Sequence, residues 1–267
     1  MELGLAGKVA LVTGSYRGTG SGIAEVLARE GAAVLVHGFE TGQAEPLVAR
    51  LRGEGLDVAA VVGDIATDEG ADAVADQALE KAGRVDVLVN NYGVAEGGSW
   101  LDTPSEEWIG IYHKNVLSGV RLVRALTPGM RERGWGRVIW LGTIGSNRPA
   151  ARMPHYYASK SVLPNLCVSL AKELAGTGIT VNVVSPGLIA TAEVKASFMR
   201  RAEKKGWGDD WAVVQARALG EMFDNPTRRI AEVEEVADLV AFVASERAGY
   251  INATNLRVDG GSTDTAL

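Results

Sequence analysis

Six short runs of aliphatic and β-branched residues recur along the chain: Val9–Val12, Ala33–Val36, Val58–Val62, Val85–Val89, Val138–Leu141 and Ile179–Val184. Strands covered on both faces are written as near-continuous apolar runs, whereas strands with one wet face alternate. The stretches between the runs are long enough for helices, and Ile23-Ala24-Glu25-Val26-Leu27-Ala28 has helical spacing. Strands alternating with helices require right-handed crossovers and a parallel sheet covered on both sides. The expected fold is therefore α/β, a doubly wound parallel sheet. No proline-rich or low-complexity linker divides the sequence, so residues 1–267 are expected to form a single domain. A chain of this length, 46% hydrophobic, can bury a sizeable core.

One segment departs from the rhythm. Residues 190–228 follow the sixth run and hold Phe198, Met199, Trp207, Trp211, Met222 and Phe223 among Arg200, Arg201, Lys204 and Lys205. One or two short helices over a binding site are expected there, either as a substrate lid or as a structural excursion with a solvated basic face.

A formal net charge of -6 and a pI near 5.3 argue against a general nucleic-acid or anionic-membrane binder. The single cysteine, Cys167, has no internal disulfide partner and sits among Leu166, Val168 and Leu170, as a buried structural thiol would. His37, His113 and His155 form no ordered ligand set with cysteines or carboxylates, so no catalytic metal is expected. The N-terminus lacks a basic segment followed by a long apolar stretch, and no run approaches about 18 apolar residues, so a cytoplasmic protein is expected.

Between the first strand and its helix lies Thr13-Gly14-Ser15-Tyr16-Arg17-Gly18-Thr19-Gly20. Side chains at Gly14, Gly18 and Gly20 would block a phosphate from the backbone, and the next helix presents free N–H groups and a positive dipole end. In this setting the turn predicts a dinucleotide site. A carboxylate ending the second strand would hold an NAD ribose, but here the strand ends Val36-His37-Gly38-Phe39, without an acid at Gly38. His37 is a candidate cofactor contact, and the planar fork of Arg17 could hold a 2′-phosphate. NADP(H) is favoured over NAD(H); Glu40 nearby, or a merely solvated Arg17, would favour the opposite.

If Tyr156-Tyr157-Ala158-Ser159-Lys160 is helical, Tyr156 and Lys160 share one face. A phenol titrates near about 10, and lowering it to neutrality would take roughly 3 units, or roughly 4 kcal/mol, of help from a cation. Such a tyrosine is a candidate general acid or base.

These motifs, in this order, resemble the short-chain dehydrogenase/reductase family over essentially the whole chain. The resemblance implies a Rossmann-like sheet of about seven strands, its last helix and strand lying between Val233 and Gly261. Asp64 lies where family members hold the adenine, and Asn90-Asn91-Tyr92-Gly93 is similar to the motif that ends the fourth strand, adding Asn91 and Gly93 to the cofactor site. Pro186, Gly187 and Thr191 match the segment that packs on nicotinamide and holds its carboxamide. Asn115, Tyr156 and Lys160 match three of four catalytic positions. The implied reaction moves a hydride between NADP(H) and a small or medium ketone or secondary alcohol. Tyr156 would transfer the proton, Lys160 would lower the phenol's pKa and bind the nicotinamide ribose, and Asn115 would hold a water leading to solvent. The resemblance also implies a homodimer or homotetramer.

Three positions depart from the family pattern. Thr143 stands where serine is usual, keeping the hydroxyl but adding a β-branch; Ser146 is offset by three residues. Tyr92 replaces a small alanine, narrowing the pocket or rearranging its loop. Pro164 falls inside the helix expected to carry Tyr156 and Lys160, where it removes an N–H and predicts a kink. Tyr157 is read as packing or pocket wall. An NAD-dependent alcohol dehydrogenase, an imine reductase and a non-catalytic dinucleotide-binding regulator remain alternatives.

Overall fold

The computed structural model describes residues 2–222 and 225–264. Seven strands, β1 (Val9–Val12), β2 (Ala33–Gly38), β3 (Val58–Val62), β4 (Val87–Asn90), β5 (Gly136–Leu141), β6 (Ile179–Pro186) and β7 (Thr254–Val258), form one sheet. Its order is β3-β2-β1-β4-β5-β6-β7, and every pairing is parallel. Side chains alternate across a strand, so each strand feeds two cores. Ala10 and Val12 of β1 join one apolar cluster while Val9 and Leu11 join the other; Val87 and Val89 of β4 part from Leu88 in the same way.

The helices supply the outer layers. Helices α1 (Gly18–Arg29), α2 (Glu45–Gly53) and α10 (Val233–Ala244) close the first core through Ile23, Leu27, Leu51, Val236 and Val240. On the other face α3 (Asp68–Ala82), α5 (Ser118–Glu132) and α7 (Leu163–Glu173) contribute Val74, Leu122, Leu126, Leu163 and Cys167. Cys167 is the buried thiol expected: its Sγ donates to the Val181 carbonyl at 3.1 Å, and burial pushes it up to about 12. The fourth run enters the sheet two residues later than its first apolar residue. Asp86 accepts from the Val9 N–H at 3.0 Å and pairs with Arg84 and Arg133, so it closes the sheet edge below β4.

The helix around Pro164 is divided, not kinked. α6 (Pro154–Ser161) ends before Val162, and α7 starts one residue later with Pro164 in its first turn. A first-turn N–H has no partner within the helix, so proline is tolerated there and Lys160 stays on regular helix.

Residues 192–222 form α8 (Ala192–Lys205) and α9 (Trp211–Met222). Phe198, Ala202, Trp207, Val214 and Leu219 make a small third core with Ala190 and Ile230. Its aromatic residues are thus largely spent on each other; Phe223 lies outside the described residues. Arg201 and Lys205 both pair with Glu221. No helix among the described residues is long and apolar enough to cross a membrane, and none of their His, Cys, Asp and Glu side chains gather in threes to hold a metal ion.

Candidate active site

The strand order reverses direction beside β1, between β2 and β4, where an open parallel sheet leaves a crevice at its carboxyl edge. A cleft of about 680 Å³ lies there, running from Tyr16, Arg17 and Phe39 past Tyr92 to Thr143 and Tyr156. Gly14 and Gly18 both have φ of 59°, in the left-handed region. A Cβ on Gly20 would come 2.5 Å from Asn91 Nδ2 and 2.7 Å from the Gly14 carbonyl. The N-cap of α1 is Arg17, whose side chain gives the first turn no hydrogen bond. A turn with Gly14 and Gly18 at positive φ and no room for a side chain at Gly20, under an uncapped helix N-terminus, fits the phosphates of a dinucleotide.

His37 does not face that cleft. It is fully buried, accepting the Gly14 N–H on Nδ1 at 2.9 Å, so Nε2 carries the hydrogen donated to the Gly63 carbonyl at 2.9 Å. Burial drives its pKa down to about 4, and the ring is neutral. The expected cofactor contact is corrected to a fastener that holds the glycine turn from beneath. Ser15 completes the clasp, accepting from the His37 N–H at 2.9 Å and donating to the Val12 carbonyl at 2.7 Å.

The other predicted cofactor residues, Asp64 excepted, line the cleft. Asn91 Nδ2 donates to the Thr13 carbonyl at 2.8 Å, locking the end of β4 to the turn. Gly93 is constrained by crowding, since a Cβ would stand 2.7 Å from Lys160 Nζ and 3.0 Å from Asn115 Oδ1. Pro186, Gly187 and Thr191 line the far end, where the Thr191 hydroxyl caps α8 by accepting from Val194 N–H at 3.3 Å. Arg17 is exposed and lies 3.6 Å from Glu193 in the first turn of α8. Asp64 is exposed just past the carboxyl end of β3, outside the residues that line the cleft, its carboxylate accepting from Ala66 N–H at 3.0 Å.

The catalytic candidates converge. Thr143, just past β5, shares a hydrogen bond with the Tyr156 phenol and also accepts the Gly145 N–H at 3.2 Å. Lys160, one turn along α6, is buried and donates to the Leu141 carbonyl at 2.8 Å. Burial lowers the lysine to about 8 and raises the phenol, an effect the Thr143 hydrogen bond opposes. The expected depression of Tyr156 by Lys160 is not what dominates: desolvation pushes both groups toward their neutral forms. Asn115 occupies a five-residue π-helical turn, His113–Leu117, ahead of α5, a rare geometry often met at functional sites. Its Oδ1 accepts from Val94 N–H at 2.7 Å, and Nδ2 donates to Val94 O and Ser159 Oγ at 3.1 and 2.9 Å. Both amide hydrogens thus fasten α6 to the loop after β4. The Tyr157 ring lies against Gly145, where a Cβ would be 2.2 Å from it, so Tyr157 is packing.

The family model described as enoyl-(acyl carrier protein) reductase matches residues 14–263. The Bos taurus dehydrogenase/reductase SDR family member 4 is 36% identical over 259 residues, 97% of this chain and 88% of its own length. The chain belongs to the short-chain dehydrogenase/reductase family. Among solved structures, L-sorbose reductase from Gluconobacter frateurii, complexed with NADPH and L-sorbose, has a TM-score of 0.93 and 34% identity, covering 99% of this chain and 100% of that one. A 7α-hydroxysteroid dehydrogenase complexed with NADH and 7-oxo glycochenodeoxycholic acid has a TM-score of 0.86 at 28% identity, covering 100% of this chain and 98% of that one.

As a short-chain dehydrogenase/reductase the protein is an oxidoreductase, and its site holds a phenol, a hydroxyl and an amine around one corner of a dinucleotide-shaped cleft. Four contributors were not among the candidates expected from the sequence. The Leu141 carbonyl that receives Lys160 is a backbone group and leaves no sequence signal. Ser159 does leave one, standing directly before Lys160. Phe39 and Tyr16 flank the expected phosphate residues and were visible as two aromatics near one turn.

Proposed function

We propose that this oxidoreductase moves a hydride between NADP(H) and a small or medium ketone or secondary alcohol, with Tyr156 as general acid and base. The observation that carries the reading is the convergence of Thr143, Tyr156 and Lys160 at one end of the cleft whose other end is the glycine turn with Arg17. Gly14, Gly18 and Gly20 would cradle the phosphates, Arg17 a 2′-phosphate, Asp64 the adenine end, Asn91 and Gly93 the middle, and Pro186, Gly187 and Thr191 the nicotinamide. The bound cofactor supplies the hydride.

Burial keeps the Tyr156 phenol protonated, which suits it to give its proton to a carbonyl oxygen. The Thr143 hydroxyl is placed to hold that same oxygen. When the phenol yields its proton, the phenolate left behind is stabilised by the Lys160 ammonium, and Asn115 keeps α6 in register with the Val94 loop while this happens. In the oxidising direction the phenolate takes the alcohol proton. Val94, Ala95, Leu188 and Val194 give the substrate end apolar walls, which supports a carbonyl carried on a partly apolar body. Helices α8 and α9 are proposed as the lid over it, and a homo-oligomer as the working form.

Absorbance assays with NADPH and NADH against a panel of ketoses, β-keto esters, cyclic ketones and matched imines test the reading. A faster ketone reaction with NADPH, lost at least about 100-fold in Tyr156→Phe, is expected. Undiminished turnover in that variant would remove Tyr156 from the reaction.

A further inference from the structure

We infer that Tyr92, with Phe39 and Tyr16, is the wall on which the cofactor's adenine stacks, so that this chain selects its nucleotide by ring contact beside Arg17. The inference rests on the dinucleotide reading proposed above. Tyr92 is no loose loop residue: its N–H donates to Thr13 Oγ1 at 2.9 Å, and its Cα and Cβ stand where a Cβ on Gly14 would be 3.4 Å away. Its ring meets Phe39 with centroids 4.5 Å apart and a tilt of 54°. Phe39 in turn meets Tyr16 edge-on at 6.4 Å and His37 at 4.9 Å. Because His37 is pinned by Gly14 and Gly63, the stack is tied to the same backbone that forms the phosphate cradle.

All three rings line the cleft, and each is only half-buried. The Arg17 guanidinium lies 5.3 Å from the Tyr16 ring centroid. The Tyr92 phenol is raised to about 12, chiefly by burial and then by the charges of Asp64 and Glu96. A ring held at the cleft wall by tilted and edge-on neighbours, with a guanidinium beside them, matches a purine nucleotide: a π-face for the base to stack on and a donor fork for a ribose phosphate. β2 contributes no acid here, since its last residue is Gly38. Ring contact supplies the grip that a carboxylate would otherwise give the adenosine end.

Calorimetric titration of the full chain with AMP and with adenosine 2′,5′-bisphosphate tests this without turnover. Tyr92→Ala is expected to weaken both nucleotides about tenfold, in the range found for loss of a base-stacking ring, while Tyr92→Phe stays within about twofold of the parent. Unchanged or tighter binding by Tyr92→Ala would show that the ring only fills space, and equal weakening in both variants would assign the contact to the hydroxyl; either overturns the inference. The NADP reading fails separately, if the parent does not prefer the bisphosphate over AMP or if Arg17→Ala leaves that preference intact. A parent that binds neither nucleotide overturns both.

Discussion

The Gly14 N–H donates to Nδ1 of a fully buried His37, 2.9 Å away, so the turn at the head of the cleft is held by a neutral imidazole. That acceptor vanishes when the ring is protonated. With a folded pKa of about 4 against an ordinary value of 6.5, the unfolded chain binds the extra proton first, and stability rises with pH through this interval. The contribution is complete above pH 6.5 and is lost as pH falls toward 4. Urea titrations should show about 3 kcal/mol of acid-labile stability in that window, absent from His37→Gln. A parent whose stability is flat from pH 7 to 4.5 would contradict this.

Lys160 has the opposite character: it is functional and costly. Its pKa of about 8 against 10.5 means that a buried ammonium is being held at neutral pH, and stability should rise between pH 8 and 10.5 as the native chain sheds that proton before the unfolded one. Lys160→Met removes the charge but strands the Leu141 carbonyl. The variant should melt higher at pH 7, by about 1–2 kcal/mol, while losing turnover. A lower melting point would mean that the hydrogen bond outweighs the desolvation.

Gly93→Ala places a methyl group 2.7 Å from Lys160 Nζ and 3.0 Å from Asn115 Oδ1. One of those groups must move by close to an ångström, a displacement that can cost about 100-fold in rate. Steady-state kinetics should show a large fall in kcat with an unfolding midpoint close to the parent. Full activity in this variant would show that neither group needs its present position.

Thr143 is hydrogen-bonded to the Tyr156 phenol through the hydroxyl that serine would also provide. Thr143→Ser should keep kcat/KM within about threefold, and Thr143→Val should lower it about 100-fold, the loss seen when one oxyanion donor is removed. Indifference to both substitutions would reduce the catalytic set to Asn115, Tyr156 and Lys160.

The sheet was legible because five of the six apolar runs are almost wholly buried on both faces, and burial of that kind is written residue by residue; the third, Val58–Val62, is the edge strand and only partly buried. Tyr156 and Lys160 were legible because four residues of regular helix fix their relation. His37 was assigned to the cleft from its place at the end of β2, yet it lies two residues from Leu35 and so on the same face, toward the second core and away from the phosphates. The aromatics of residues 190–228 left two readings open, a lid or a structural excursion, for a different reason. Composition cannot tell a ring that lines a ligand pocket from one that packs on another ring, and Phe198 and Trp211 do the second. The balance of charges at Tyr156 and Lys160 was hidden too, because spacing reports proximity and says nothing of the solvent lost around both groups.

The division of the helix at Val162 gives the site separate adjustments. α6 is two turns long, and its internal geometry sets the relation of Tyr156 to Lys160, whatever else shifts. Its distance from Thr143 is set by unrelated contacts, the Tyr157 ring on Gly145 and the Asn115 bridge to Ser159. The spacing of phenol and amine can therefore be kept while the Thr143 side is altered, but their protonation cannot, because the Thr143 hydroxyl is itself bonded to the phenol.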